Sequence, residues 1–146
     1  MFTLKSLENL VKGLEDSGMK SNSNIVVIDD GSIDNTSEII KEKFPEVDIL
    51  KGNGNLWWTG SVNIGARYAF STKKASFVLL WNNDIIAHKN YFHVVKRIMQ
   101  ANRTSVIFGS KIYSDYENRI IWSLGGIFNS KAVSFLWLDI TPGRIW

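Results

Sequence analysis

Two short, unbroken apolar runs constrain this chain more than any other feature. Residues 24–29 (Asn-Ile-Val-Val-Ile-Asp) and 76–82 (Ser-Phe-Val-Leu-Leu-Trp-Asn) carry apolar side chains at consecutive positions. A strand with one wet face alternates apolar and polar residues. A continuous run belongs to a strand covered on both faces, as in parallel sheets. Helical patterns fall between and beside these runs. Leu4, Leu7, Leu10, Val11 and Leu14 share one face of a helix over 3–18, with Thr3 as N-cap and Gly18 as stop. A second helix is expected over 35–43, opened by the capping-box spacing of Asn35 and Glu38 and ended by Pro45. Others are expected over 60–72 and 91–101, the last capped by Asn90 with Tyr91, Val94, Val95, Ile98 and Met99 on its apolar face. Short strands are expected at 47–51 and 106–108, and antiparallel strands or hairpins at 120–127 and 133–138. Alternating strands and helices define an α/β fold: a mostly parallel sheet flanked by helices, with a small antiparallel C-terminal portion. No linker or repeat interrupts it, so residues 1–146 read as a single domain.

Composition removes several classes of function. The chain has no Cys, which excludes disulfides and Cys-based zinc sites, and His88 and His93 are its only histidines. Its net charge of +3 is dispersed, so no nucleic-acid footprint is expected, although a mildly positive field suits an anionic diphosphate. No apolar stretch is long enough to span a membrane and the N-terminus has no signal-peptide core, which makes the cytoplasm the default compartment.

In an open α/β sheet, ligands bind beyond the carboxyl ends of the strands. Here the first run ends in Asp29-Asp30-Gly31-Ser32 and the second in Asn82-Asn83-Asp84. Such residues also serve simply to turn and cap. Two acidic ends facing one cleft, beside the Gly52-Asn53-Gly54-Asn55 loop, favour a site for a hard divalent cation that bridges substrate phosphates.

These segments resemble family 2 glycosyltransferases, which have the GT-A (Rossmann-like) fold. Ile25–Asp34 is similar to their "VVVDDGSTD" segment, Asn55–Gly65 to their "N-x-G…N-x-G" stretch, and Phe77–Asp84 to the strand ending in a metal-binding "DxD" in its "NxD" variant. Ile121-Trp122-Ser123-Leu124-Gly125-Gly126 resembles a segment of rhamnosyltransferase-like members, and order and spacing agree over about residues 4–130. The resemblance implies a nucleotide-diphospho-sugar donor, a glycan or lipid-linked hydroxyl acceptor, and inverting transfer in the synthesis of bacterial surface polysaccharide or glycolipid. It places the protein in the cytoplasm, peripheral at the inner membrane face. It implies that Asp29 and Asp30 recognise the nucleobase and ribose, that Asp84 binds Mg²⁺ or Mn²⁺ through the donor diphosphate, and that Asn63 approaches the donor from the start of its helix. Asn82 stands where many members have Asp, which weakens the electrostatic hold on the cation.

Family members begin with a strand before the first helix, and they continue into an acceptor-binding region that carries the general base. The chain is therefore expected to be partial at both ends, with no assignable base; Asp139 does not match that motif. Trp57 or Trp58 is expected at the donor, whereas Trp81 is expected in the core. Trp122, Trp137 and Trp146 are expected to be exposed, and self-association with them. His88, His93, Arg67, Lys73 and Lys74 are expected to be solvated surface groups. A phospho-receiver domain built on Asp29, Asp30, Asp84 and Lys111 is a rival with poorer spacing. A non-catalytic nucleotide-binding module is a second alternative.

Overall fold

The protein is described by a computed structural model over residues 2–101, 107–115, 117, 120–123, 126–129 and 134–137. The chain divides into two compact units, Met1–Ala101 and Asn102–Trp146.

The first unit opens with α1 (Phe2–Asp16). Gly18 ends it at φ +66° with Met19 N–H bonded to the Leu14 carbonyl at 2.8 Å and Gly18 N–H to Glu15 at 2.9 Å, a Schellman stop. β1 (Val26–Asp29) pairs in parallel with β2 (Asp48–Lys51), with Val27 opposite Ile49 and Asp29 opposite Lys51. Between them runs α2 (Thr36–Lys43), followed later by α3 (Trp57–Ser71) and α4 (Tyr91–Ala101). Leu7, Leu10, Val11 and Leu14 of α1 join Ile40, Val47 and Phe92 in the core, with Val27, Ile49 and Trp81 packed against it. Each such side chain contributes about 1.5–3 kcal/mol on burial.

Several sequence expectations need correction. Thr3 lies within α1 rather than capping it, and its hydroxyl accepts a 3.2 Å hydrogen bond from Asn83. The Asn35–Glu38 capping box does not form. Asn35 turns left-handed at φ 55°, and Asp34 accepts the Thr36 N–H instead, at 3.3 Å. β1 is half-buried for most of its length rather than fully covered. On α4, Phe92 is the buried residue and Val94 is exposed. The reason is steric: Gly13 leaves room on α1 for the Phe92 ring, which also stacks on Trp81 at 5.9 Å between centroids. Lys73 is not simply solvated, because it forms a 2.7 Å ion pair with Asp48 on β2.

The largest departure is 76–82, which forms no strand. An apolar run joins a sheet only when a neighbour offers a row of N–H and C=O groups, and none of the described residues does so for this segment. Side chains of α1 hold the chain just beyond it. Trp81 Nε1 donates to Ser6 Oγ at 2.9 Å, and Ser6 Oγ donates to the Ile85 carbonyl at 2.7 Å. Asn9 brackets Ala87 through both its amide groups. Phe77, Leu79 and Leu80 are exposed, while Trp81 packs on the core as expected.

In the second unit, β3 (Ile112–Asp115) pairs antiparallel with β4 (Ile120–Ser123), with register shifts on either side of Tyr113. β5 (Gly126–Asn129) pairs antiparallel with β6 (Ser134–Trp137). The antiparallel C-terminal portion expected from sequence is present. The expected strand at 106–108 is not formed at Ile107 or Phe108; Val106, like Asp139 and Trp146, lies outside the described residues. Trp122 is exposed.

Candidate functional site

The carboxyl end of β1 and the bend that follows it deliver two adjacent carboxylates to different partners. Asp29 turns inward and is 4% exposed. Its Oδ1 accepts the Ser32 N–H at 2.8 Å, and its Oδ2 accepts the Ser37 hydroxyl and the Lys51 ammonium, the latter at 2.6 Å. Lys51 Nζ also donates to Ser37 Oγ at 2.6 Å. Burial alone would raise the Asp29 pKa. The hydrogen bonds from Lys51, Ser37 and Ser32 more than offset it and hold the carboxyl well below the ordinary range. Asp29 thereby ties β1, β2 and the start of α2 to the loop between them.

Asp30 faces the Gly/Asn loop. Its Oδ1 accepts the Gly54 N–H at 2.7 Å, and its Oδ2 accepts those of Leu56 at 2.7 Å and Trp57 at 3.1 Å. A residue far away in sequence thus performs the capping of α3, which explains why the helix starts at Trp57 rather than at residue 60. The clasp needs glycine beneath it. A Cβ on Gly52 would collide with Asp30 Oδ1 and stand 3.1 Å from Asp30 Cα. Gly31 and Gly54 meet where the two loops touch, at φ +89° and +84°.

The second cluster reaches the same helix end through one contact. Trp58 Nε1 donates to Asn82 Oδ1 at 3.2 Å. The first turn of α3 therefore bridges the Asp29-Asp30 and Asn82-Asn83-Asp84 segments. Asp84 is exposed. Asn63 lies well inside α3, not at its start, and is exposed with Arg67 along a shallow groove that includes Ala66 and Phe70. His88 and His93 are exposed, and His88 Nδ1 accepts the Asn90 N–H at 3.3 Å.

No group of three or more potential metal-ligating His, Asp or Glu side chains occurs among the described residues. Asp84 is the one carboxylate of its cluster. It fits a hard cation that takes most of its oxygen ligands from a bound diphosphate and water, the usual habit of Mg²⁺.

Sequence reasoning missed Lys51, Ser37, Ser6 and Asn9, and gave Thr3 the role of a cap rather than a place with Ser6 and Asn9 on one stripe of α1. Lys51 was legible as a cation in parallel register with an acid, and the stripe as polar residues at a spacing of three.

The α/β unit thus gathers the acidic end of β1 and the 82–84 segment at one helix N-terminus, and open α/β sheets bind ligands beyond the carboxyl ends of their strands. The sequence model described as Glycosyl transferase family 2 matches residues 3–145, and the chain belongs to that family. Membership carries glycosyltransferase activity, with a nucleotide-sugar donor and an acceptor substrate, and supersedes the phospho-receiver alternative. No curated protein and no solved structure matches the chain.

Proposed function

We propose that the protein takes part in inverting transfer of a hexosyl group from a nucleotide-diphospho-sugar to a hydroxyl of a glycan or lipid-linked acceptor. The bridge formed by the first turn of α3, from the Asp30 carboxylate to Asn82 through Trp57 and Trp58, carries this reading. It draws both acidic segments to one helix end, beside the loop of Gly52–Asn55. Asp29 and Asp30 shape the base and ribose side, and Asn63 lines the approach along α3. Asp84, with Asn82 two residues before it, would hold Mg²⁺ or Mn²⁺ together with the donor diphosphate. In the reaction the anomeric carbon exchanges its bond to phosphate oxygen for one to the acceptor oxygen. The acceptor proton passes to a base, and negative charge grows on the departing diphosphate. A divalent cation bound there would supply Lewis-acid stabilisation of that charge. The protein is of the rhamnosyltransferase-like type, its products are surface polysaccharides or glycolipids, and it works in the cytoplasm, peripheral to the inner membrane.

Calorimetric titration with UDP, GDP and dTDP, with and without Mn²⁺, tests this. Metal-dependent binding of one nucleotide is expected, and it identifies the donor base. Absence of binding by the folded chain refutes the reading. Binding of the matching nucleotide-sugar without its hydrolysis or transfer favours the non-catalytic alternative.

A further inference from the structure

Trp57 carries two costs, one in its backbone and one in its side chain. Its backbone sits at φ +53°, the left-handed region that a bulky aromatic residue rarely enters. Such a conformation costs about 1–3 kcal/mol and persists only where the surroundings impose it. Asp30 imposes it here, accepting the N–H groups of both Leu56 and Trp57. The second cost is exposure. The Trp57 indole is 82% exposed and makes no hydrogen bond or ring contact among the described residues. Its neighbour behaves differently, since the Trp58 indole is fastened to Asn82 at 3.2 Å.

We infer that Trp57 is a stacking platform for the nucleobase of a nucleoside diphosphate, and that Asp30 is the positioning residue that presents it. This rests on the nucleotide-sugar reading above and deepens it. A rigid, flat apolar surface at the mouth of a polar loop suits a planar aromatic ring. Stacking tolerates any base, because every base has a π face. Asp30 then influences the donor through the main chain it holds rather than by contact.

Trp57→Ala, Trp57→Phe and Trp57→Gly are compared with the unaltered protein in titrations with UDP, GDP, dTDP and Mn²⁺-pyrophosphate. Trp57→Ala should weaken the preferred nucleoside diphosphate by about tenfold or more, with pyrophosphate unchanged. Trp57→Phe should keep most of the affinity. Trp57→Gly supplies the decisive readout. Glycine accepts a positive φ without strain, so this variant should melt no lower than the parent while losing nucleotide affinity. Unchanged nucleotide affinity in Trp57→Ala overturns the inference. Equal loss for pyrophosphate also overturns it, because the defect would then lie in the loop or the phosphate subsite. A sharply lower melting temperature in Trp57→Gly would make Trp57 structural. An equal loss for a free sugar would make the platform a sugar subsite. If the unaltered protein binds none of the nucleotides, the function itself falls, and this inference with it.

Discussion

Two apolar runs of similar composition end in polar clusters, yet they meet different fates. Residues 26–29 pair with β2 and deliver Asp29 and Asp30 into networks that account for every carboxylate oxygen. Residues 76–82 form no ladder and lead to an exposed Asp84. Strand pairing is what separates them. A ladder sets Asp29 opposite Lys51, and the bend that follows presents Asp30 to the Gly52–Asn55 loop, so each acid finds its own donors. Without a ladder, position comes from a few side-chain bonds to α1, which hold the backbone near Ser6 and Asn9 but leave the final carboxylate in solvent.

The strongest way to break this comparison is to remove Asp29. Asp29→Ala should destabilise the protein by about 3 kcal/mol, because Ser37, the Ser32 N–H and Lys51 lose their acceptor. Lys51 supplies the smaller part of this, since its side chain is 59% exposed and solvent screens the pair. Urea denaturation measures the loss; a change below about 1 kcal/mol would show that the network is not structural. The pH dependence gives the sign. A carboxyl held below its unfolded pKa of about 3.9 contributes fully above that pH, and the contribution fades as acid approaches the depressed folded value. Asp29→Asn should flatten the acid limb of the stability profile, and an unaltered limb would count against the assignment.

A gentler perturbation tests the clasp on Asp30. Gly52→Ala places a methyl group against Asp30 and Leu56, so the carboxylate must shift from the N–H groups it caps. The expected cost is about 1–2 kcal/mol, typical of overpacking. Hydrogen exchange at Leu56 and Trp57 should rise more than at Val27, in the middle of β1. Uniform exchange across all three would mean that the loop is held by something other than Asp30.

Much of this arrangement was legible in the sequence. The four helices, Gly18 as a helix stop and the parallel character of the first two strands follow from local chemistry. Capping was less legible, because the residue that caps α3 lies some distance upstream and Asp34 replaces Asn35 at α2. A cap identified from sequence is a local pattern, whereas Asp30 reaches its amides only through the fold. The 76–82 run shows the complementary limit. Its composition expresses a preference for burial, but a strand also requires a partner, which no single run encodes.

The smallest expected change in stability, and the sharpest contrast with Asp29, comes at Asp84. Asp84→Ala should leave the melting temperature within error, because an exposed carboxylate outside any described network supports little of the fold. The same substitution should abolish the Mn²⁺-dependent part of nucleotide binding, since Asp84 is the only carboxylate in its cluster. Asp84→Asn should act alike, because charge rather than size holds a hard cation beside a diphosphate. Calorimetry with and without Mn²⁺ separates the two effects. A destabilised but metal-responsive variant would reverse the comparison: the exposed cluster would then be structural, and the cation would have to be held elsewhere. A stable variant blind to metal would assign architecture to the paired acid and chemistry to the unpaired one.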